Sequence, residues 1–341
     1  MLFIGQSILV PLIYSLLIAI VLHPAVIYLT KKKINRVLAI TITVLVVIVF
    51  VILFVVILSS KIVQFSDAFP QLVKKFSELT ETSVAWVSDT FHISTRKINL
   101  WITQKNAEML NESGSIIGQT LISTGSALVV LVLIPVYTFM ILFYQPLLLE
   151  FIHRLFNPSK HGDVSEVLSA TKKIVQSYLV GLLLEALIVA ALNASSLLIL
   201  GIDYAILLGV IGAIVNVIPY IGGIIAVALP MLIALATKSP AYALFVLIAY
   251  IIIQFVDNHF IIPKIVASKV KINALVSVLV VLGGGALWGI PGMFLSIPLT
   301  AILKVIFDHV EALKPWGYLL GNIVSTKSNL KLDFIKRRNA R

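Results

Sequence analysis

The chain has 341 residues, 60% of them hydrophobic and 12% charged, with a mean hydropathy of +1.07. Uncharged runs of 18 residues and more recur along it, which excludes a soluble globular protein and predicts an all-α, polytopic membrane protein. No cysteine is present for a disulfide or a thiolate site, and the net charge of +11 falls mainly in short loops and the tail, where it orients the chain in a bilayer rather than recruiting nucleic acid.

Residues 1–60 read as N-terminal transmembrane helices. The first span covers 8–29, with Pro11 near its start and His23-Pro24 near its end. KKKINR at 31–36 holds four basic residues and no acid, which places it in the cytoplasm. The N-terminus would then lie outside, which suggests either a further helix upstream or a displaced start. Residues 37–60 are a second uncharged span rich in Val and Ile. In 61–124, six Lys/Arg balance six Asp/Glu, and Ile62, Phe65, Phe69, Leu72, Val73 and Phe76 recur at helical spacing. This is an external amphipathic region, suited to lying on the membrane interface or to subunit contacts.

Residues 125–201 return to transmembrane helices. The span at 127–144 carries Pro135 as a kink, and the connection 145–173 is basic enough to be cytoplasmic. The next span, 174–200, contains one charge, Glu185. A lone carboxylate at that depth is costly, so it either ties helices together or carries a coupled ion or proton.

Residues 202–308 read as the transport core. Two long uncharged segments, 204–237 and 272–303, are each interrupted by Pro and Gly. The first breaks at IPYIGG, with Pro219, Gly222 and Gly223, and again at Pro230. The second is interrupted by Gly283, Gly284 and Gly285, by Pro291-Gly292, and by Pro298. As one continuous helix the first would be roughly 50 Å long, against a hydrocarbon core of about 30 Å. Paired interruptions in two halves point to a transporter's binding site. The preferred threading has about five full spans plus two re-entrant hairpins in inverted arrangement. A single kinked crossing for each segment is the alternative, and it would move 257–273 from the cytoplasm to the outside. Between the segments, Tyr250, Gln254, Asp257 and Asn258 share one helical face. With Asn216 before the first break and Asn273 before the second segment, they are candidate ligands for a polar solute or a partly dehydrated cation. Residues 309–341 form a basic cytoplasmic tail.

These stretches resemble the autoinducer-2 exporter family of PerM-like permeases. The carrying motifs are LLGVIGAIVNVIPYIGGIIAVALPMLIAL at 207–235, FVDNHFIIPKIVASKVKINALV at 255–276, GGALWGIPGMFLSIPLTAILKVIFDH at 284–309, and SLLIAIVLHPAV at 15–26. The resemblance implies a secondary transporter of the bacterial inner membrane, an elevator-like movement, and a homo-oligomer such as a pentamer. It implies export of a small polar signal, the quorum-sensing furanone, or exchange of Na⁺ or Li⁺ for H⁺. It supplies no residue set, so the site assignments rest on the residues themselves.

No cofactor and no metal site is expected. The chain lacks HExxH, GxSxG and phosphate-binding motifs, and its six histidines are scattered, which argues against an enzyme. A non-transporting scaffold would have no use for broken helices at membrane depth.

Overall fold

The computed structural model describes residues 3, 5–91, 132–218, 222–267 and 272–321. Nearly all of these residues are helical, and the only β contact among them is an isolated antiparallel bridge between Ile272 and Gly321. The helices are α1 (Gln6–Lys31), α2 (Arg36–Phe91), α3 (Val132–Arg154), α4 (His161–Ile199), α5 (Ala205–Asn216), α6 (Gly222–Thr237), α7 (Pro240–Val256), α8 (Ala274–His309) and α9 (Lys314–Leu320). At its end α7 passes directly into a π-helix, Asp257–Ala267. Among the described residues, six helices are long and apolar enough to cross a membrane: α1, α2 up to Val63, α3, α4, α7 with its π extension, and α8.

The long helix α4 organises the bundle, since α1, α5, α7 and α8 all pack on it. One apolar cluster joins α4 to α5–α7 through Leu197, Leu208, Ile233 and Val246. A second joins α1, α2 and α3 through Ala19, Ile40 and Leu142. A third joins α1, α4 and α8 through Leu17, Val175 and Leu295. Lipid is as apolar as leucine, so helices in a bilayer associate by close packing and polar ties. Gly209 supplies the first: a Cβ there would stand 2.6 Å from the Ala194 amide nitrogen, so α5 lies directly against α4. Gln176 Nε2 donates to Ile20 O at 2.6 Å, and Lys172 Nζ to His23 Nδ1 at 3.0 Å, tying α4 to α1. Arg36 Nη2 donates to Leu142 O at 2.8 Å, tying α2 to α3.

Both interrupted segments fold back on themselves. In the first, Gly222 abuts the Val215 carbonyl and Asn216 Cα, so the chain reverses between α5 and α6. Twelve and sixteen residues make these arms about 18 and 24 Å long, each shorter than a hydrocarbon core. In the second, α8 is broken at Trp288 (φ −135°, ψ 16°) and Gly289 (φ 63°, ψ −146°). Gly289 takes a backbone conformation open to glycine alone. Beyond it Gly284 touches Gly292 and Ser296, residues about 12 Å or more away in an unbroken helix. Arms 274–287 and 290–309 therefore lie against each other.

Four details differ from the sequence expectation. The break of the second segment lies at Trp288–Gly289, two residues before Pro291-Gly292, and not at Gly283–Gly285, which are helical; of these three, Gly284 and Gly285 face the other arm. Pro230 and Pro298 sit inside helices without ending them. The amphipathic stretch after 60 continues α2 as one 56-residue helix, which brings Phe65 edge-on to Tyr204 at 5.3 Å; residues 92–124 of that region lie outside the described residues, as does the tail from 322. The connection 145–173 is helical at both ends, with only a short turn before α4.

The two neighbouring glycines of α8 separate packing from propensity. Gly284→Ala drives a methyl into Ser296 Oγ and the Gly292 carbonyl, whereas a Cβ on Gly283 meets nothing within 4 Å. Gly284→Ala is expected to lower stability by about 1–3 kcal/mol and Gly283→Ala to be neutral or better, read from thermal unfolding of the detergent-purified variants.

Candidate functional site

A cavity of about 680 Å³ lies between α4, the α5–α6 turn and α7. Its polar lining is Tyr178 and Glu185 from α4, Asn216 from α5, and Tyr250, Gln254, Asp257 and Asn258 from α7 and its π extension. The walls are apolar, among them Leu182, Ile224, Val227 and Leu247. Among the described residues no lysine, arginine or histidine faces this space, so the lining carries two carboxylates and no cation.

Local structure sets each group in place. Tyr178 and Glu185 are seven residues apart on α4, two turns along one face. Asn216 is the last residue of α5, at the tip where the chain turns back. At Asp257 the helix widens from α to π geometry, a local feature that recurs at functional sites. There Asp257 is only 1% exposed, and Glu185 across the cavity is 5% exposed.

The polar groups form a small network. Asn216 Nδ2 donates to Asp257 Oδ2 at 3.0 Å, joining the hairpin tip to α7. Gln254 Nε2 reaches the same oxygen at 3.5 Å and Asn258 Oδ1 at 3.3 Å. Gln254 Oε1 points back at Gly223, where no side chain could stand without displacing it. The other Asp257 oxygen, Oδ1, is buried and has no hydrogen-bond partner among the described residues. An unsatisfied buried oxygen costs about 1–3 kcal/mol, so its retention in a native structure calls for a structural or functional reason.

Of the positions singled out in the sequence, Glu185, Asn216, Gly223, Gln254, Asp257 and Asn258 meet at this cavity. Gly222 stands just behind it, packed on the α5 terminus, and Pro219 lies outside the described residues. Gly283, Gly284, Gly285, Pro291 and Gly292 belong to the second hairpin and do not line the cavity. Pro291 O instead accepts from Tyr14 Oη at 3.2 Å, on α1. Asn273 serves the fold instead of the cavity. Its Oδ1 caps α8 by accepting from Val276 N at 2.9 Å. Its Nδ2 donates to Leu319 O at 2.6 Å and to Gly321 O at 3.2 Å, fastening α9 to the foot of α8. Sequence reasoning missed Tyr178, although its seven-residue offset from Glu185 could have suggested it. It missed Asn193 too, which lies eight residues after Glu185 on the same buried face of α4 and is 2% exposed. Among the described residues no group of three or more His, Asp or Glu could hold a metal ion.

Comparison with known proteins agrees with this architecture. The family model described as AI-2E family transporter matches residues 1–312. A candidate transport protein of Haemophilus influenzae is 28% identical over 338 residues, covering 95% of this chain and 92% of its own length. The AI-2 transport protein TqsA of Escherichia coli is 25% identical over 323 residues, covering 94% and 91%. A candidate transport protein of Bacillus subtilis, YrrI, is 39% identical over 132 residues, a segment that spans 39% of this chain and 37% of that relative. Six membrane-length apolar helices among the described residues and a family match over nearly the whole length have one common reading: the chain belongs to the AI-2E transporter family of multi-pass membrane proteins.

Proposed function

We propose that this protein is a secondary transporter that moves a small polar solute out of the cell through the cavity around Asp257, with Asp257 and Glu185 carrying a coupled proton or Na⁺. The observation that carries the proposal is the lining itself: two buried carboxylates, three amides, two phenols and, among the described residues, no basic side chain around a space of small-molecule size. Such a surface repels anions and offers hydrogen bonds to a neutral polar solute or charge to a cation. A carboxylate enclosed in an apolar bundle is costly, and intramembrane acids of this kind mark proton and ion paths. TqsA, a relative over nearly the full length, is named for AI-2, which makes that signal the first solute to test.

In this proposal the two hairpins are re-entrant and inverted, one opening to each side of the bilayer. The short arms of the first hairpin support this. The excess of basic residues in the tail supports a cytoplasmic C-terminus. Work as a homo-oligomer in the inner membrane follows from the family resemblance.

Proteoliposomes loaded with AI-2 and a trapped pH dye test the reading. Solute efflux accompanied by a pH change on imposing a proton or Na⁺ gradient is expected, and neither should occur in protein-free vesicles. Asp257→Asn keeps the shape and removes the charge: efflux should fall at least tenfold while the thermal midpoint stays the same or rises. Normal efflux in this variant would take Asp257 out of the path. Glu185→Gln should leave substantial efflux but flatten its dependence on pH, measured between pH 6 and 8. A profile identical to that of the parent would assign Glu185 to helix packing instead.

A further inference from the structure

Toward the end of the bundle that carries the KKKINR loop, basic side chains from three helices converge. Lys172 Nζ of α4 donates to His23 Nδ1 of α1 at 3.0 Å. A ring nitrogen that accepts carries no proton, so the partner of this ammonium is a neutral imidazole. Arg36 of α2 stands close enough for its charge to act on the same ring, and the Gln145 amide of α3 faces it as well. All four side chains are half-buried, and none of them lines the cavity around Asp257. The acids nearest in sequence to Gln145 and Lys172 are engaged elsewhere: Glu150 pairs with Arg154 at 2.9 Å, and Glu166 lies 3.9 Å from His309. Among the described residues no carboxylate forms an ion pair with Lys172 or Arg36.

Half-buried cations without a counter-charge are costly, so this cluster calls for an anion. Orientation in the bilayer does not explain it, because the exposed Lys31, Lys32 and Lys33 already serve that purpose. Depth and donors select the anion. Lys172 lies 27 residues before the far end of α4 at Ile199, about 40 Å along the helix. That is close to the thickness of a bilayer with its headgroups, so Lys172 falls in the headgroup layer. The ammonium spends one donor on His23 and the guanidinium one on Leu142 O, which leaves N–H groups on both for phosphate oxygens. Leu16 and Leu12 continue the His23 face of α1 toward the bilayer centre, and Leu183 continues the Lys172 face of α4; all three are exposed. A lipid would cover both the cations and these apolar side chains, whereas a free phosphate would cover only the cations. We infer that Lys172 and Arg36, set around His23, bind the phosphate headgroup of an anionic lipid between the helices. The site is separate from the cavity and does not depend on the transport reading.

The test is thermal unfolding of the detergent-purified full chain titrated with phosphatidylglycerol, with phosphatidylcholine and with inorganic phosphate, in about 0.5 M NaCl to screen exposed charges. Compared are the parent, Lys172→Gln, Arg36→Gln and two exposed controls, Lys31→Gln and Lys173→Gln. Phosphatidylglycerol is expected to raise the midpoint of the parent, and phosphatidylcholine and inorganic phosphate are not. Lys172→Gln and Arg36→Gln should each weaken the apparent affinity for phosphatidylglycerol by about fivefold or more, and the controls should stay within about twofold of the parent. Equal responses to the two lipids, or equal losses in the control variants, would overturn the site in favour of diffuse attraction. A shift reproduced by inorganic phosphate would overturn the lipid assignment. A lower lipid-free midpoint in Lys172→Gln and Arg36→Gln with affinity unchanged would make both residues helix ties only and overturn the site. If neither variant folds, mass spectrometry of the purified parent decides. Anionic lipid carried through purification and exchanged by added phosphatidylglycerol but not by phosphatidylcholine supports the site, and its absence overturns it.

Discussion

Asp257 is buried inside an apolar bundle, and a carboxylate there must find its donors within the protein because lipid offers none. Asn216 supplies one of them from the end of α5. The bond fixes where that end sits against α7. Its position in turn shapes the cavity, because the residues on either side of the turn form one wall and α4 forms the opposite one. The remaining carboxylate oxygen stays unpaired among the described residues, so the site is held in place by half of its hydrogen-bonding capacity and keeps the other half in reserve. Reserves of this kind reduce stability, and they persist where function needs them.

Much of this was legible in the sequence because charge is rare in it. A single Glu in a span and a Gln-x-x-Asp-Asn pattern at helical offsets stand out against an apolar background, and the structure brings them to one cavity. Asn193 did not stand out. A lone amide in a membrane helix carries no charge, and only its burial against α5 shows that its oxygen lacks a partner. Asn273 misled in the opposite direction. A polar residue before a broken segment suggests a ligand, but an Asn three residues ahead of a free helical N–H is equally a cap, and here it caps.

The glycines show the same limit. A run of three reads as a break, yet glycine in membrane helices more often permits close approach between backbones, as Gly284 does against Gly292. The reversal is set by the backbone angles of Gly289, two residues before the Pro291-Gly292 pair that the sequence also marks as an interruption. The two interrupted segments also divide their labour in a way their comparable sequence pattern does not reveal. The first contributes Asn216 and Gly223 to the cavity; the second packs on α1 through Tyr14, Leu17 and Phe294 and lines no part of it. The π geometry at Asp257 leaves no trace in apolar periodicity that a reading of single residues would catch.

The fastening of Asn273 to α9 bears on how the molecule is made. It brings the two ends of the stretch from Ile272 to Gly321 within hydrogen-bonding distance, through the bridge between them and the Asn273 side chain. The closure spans α8 with its reversal and the return along α9, so this stretch completes most of its own contacts. A stretch pinned at both of its ends in this way can hold its two arms together while its outer face packs on α1 and α4.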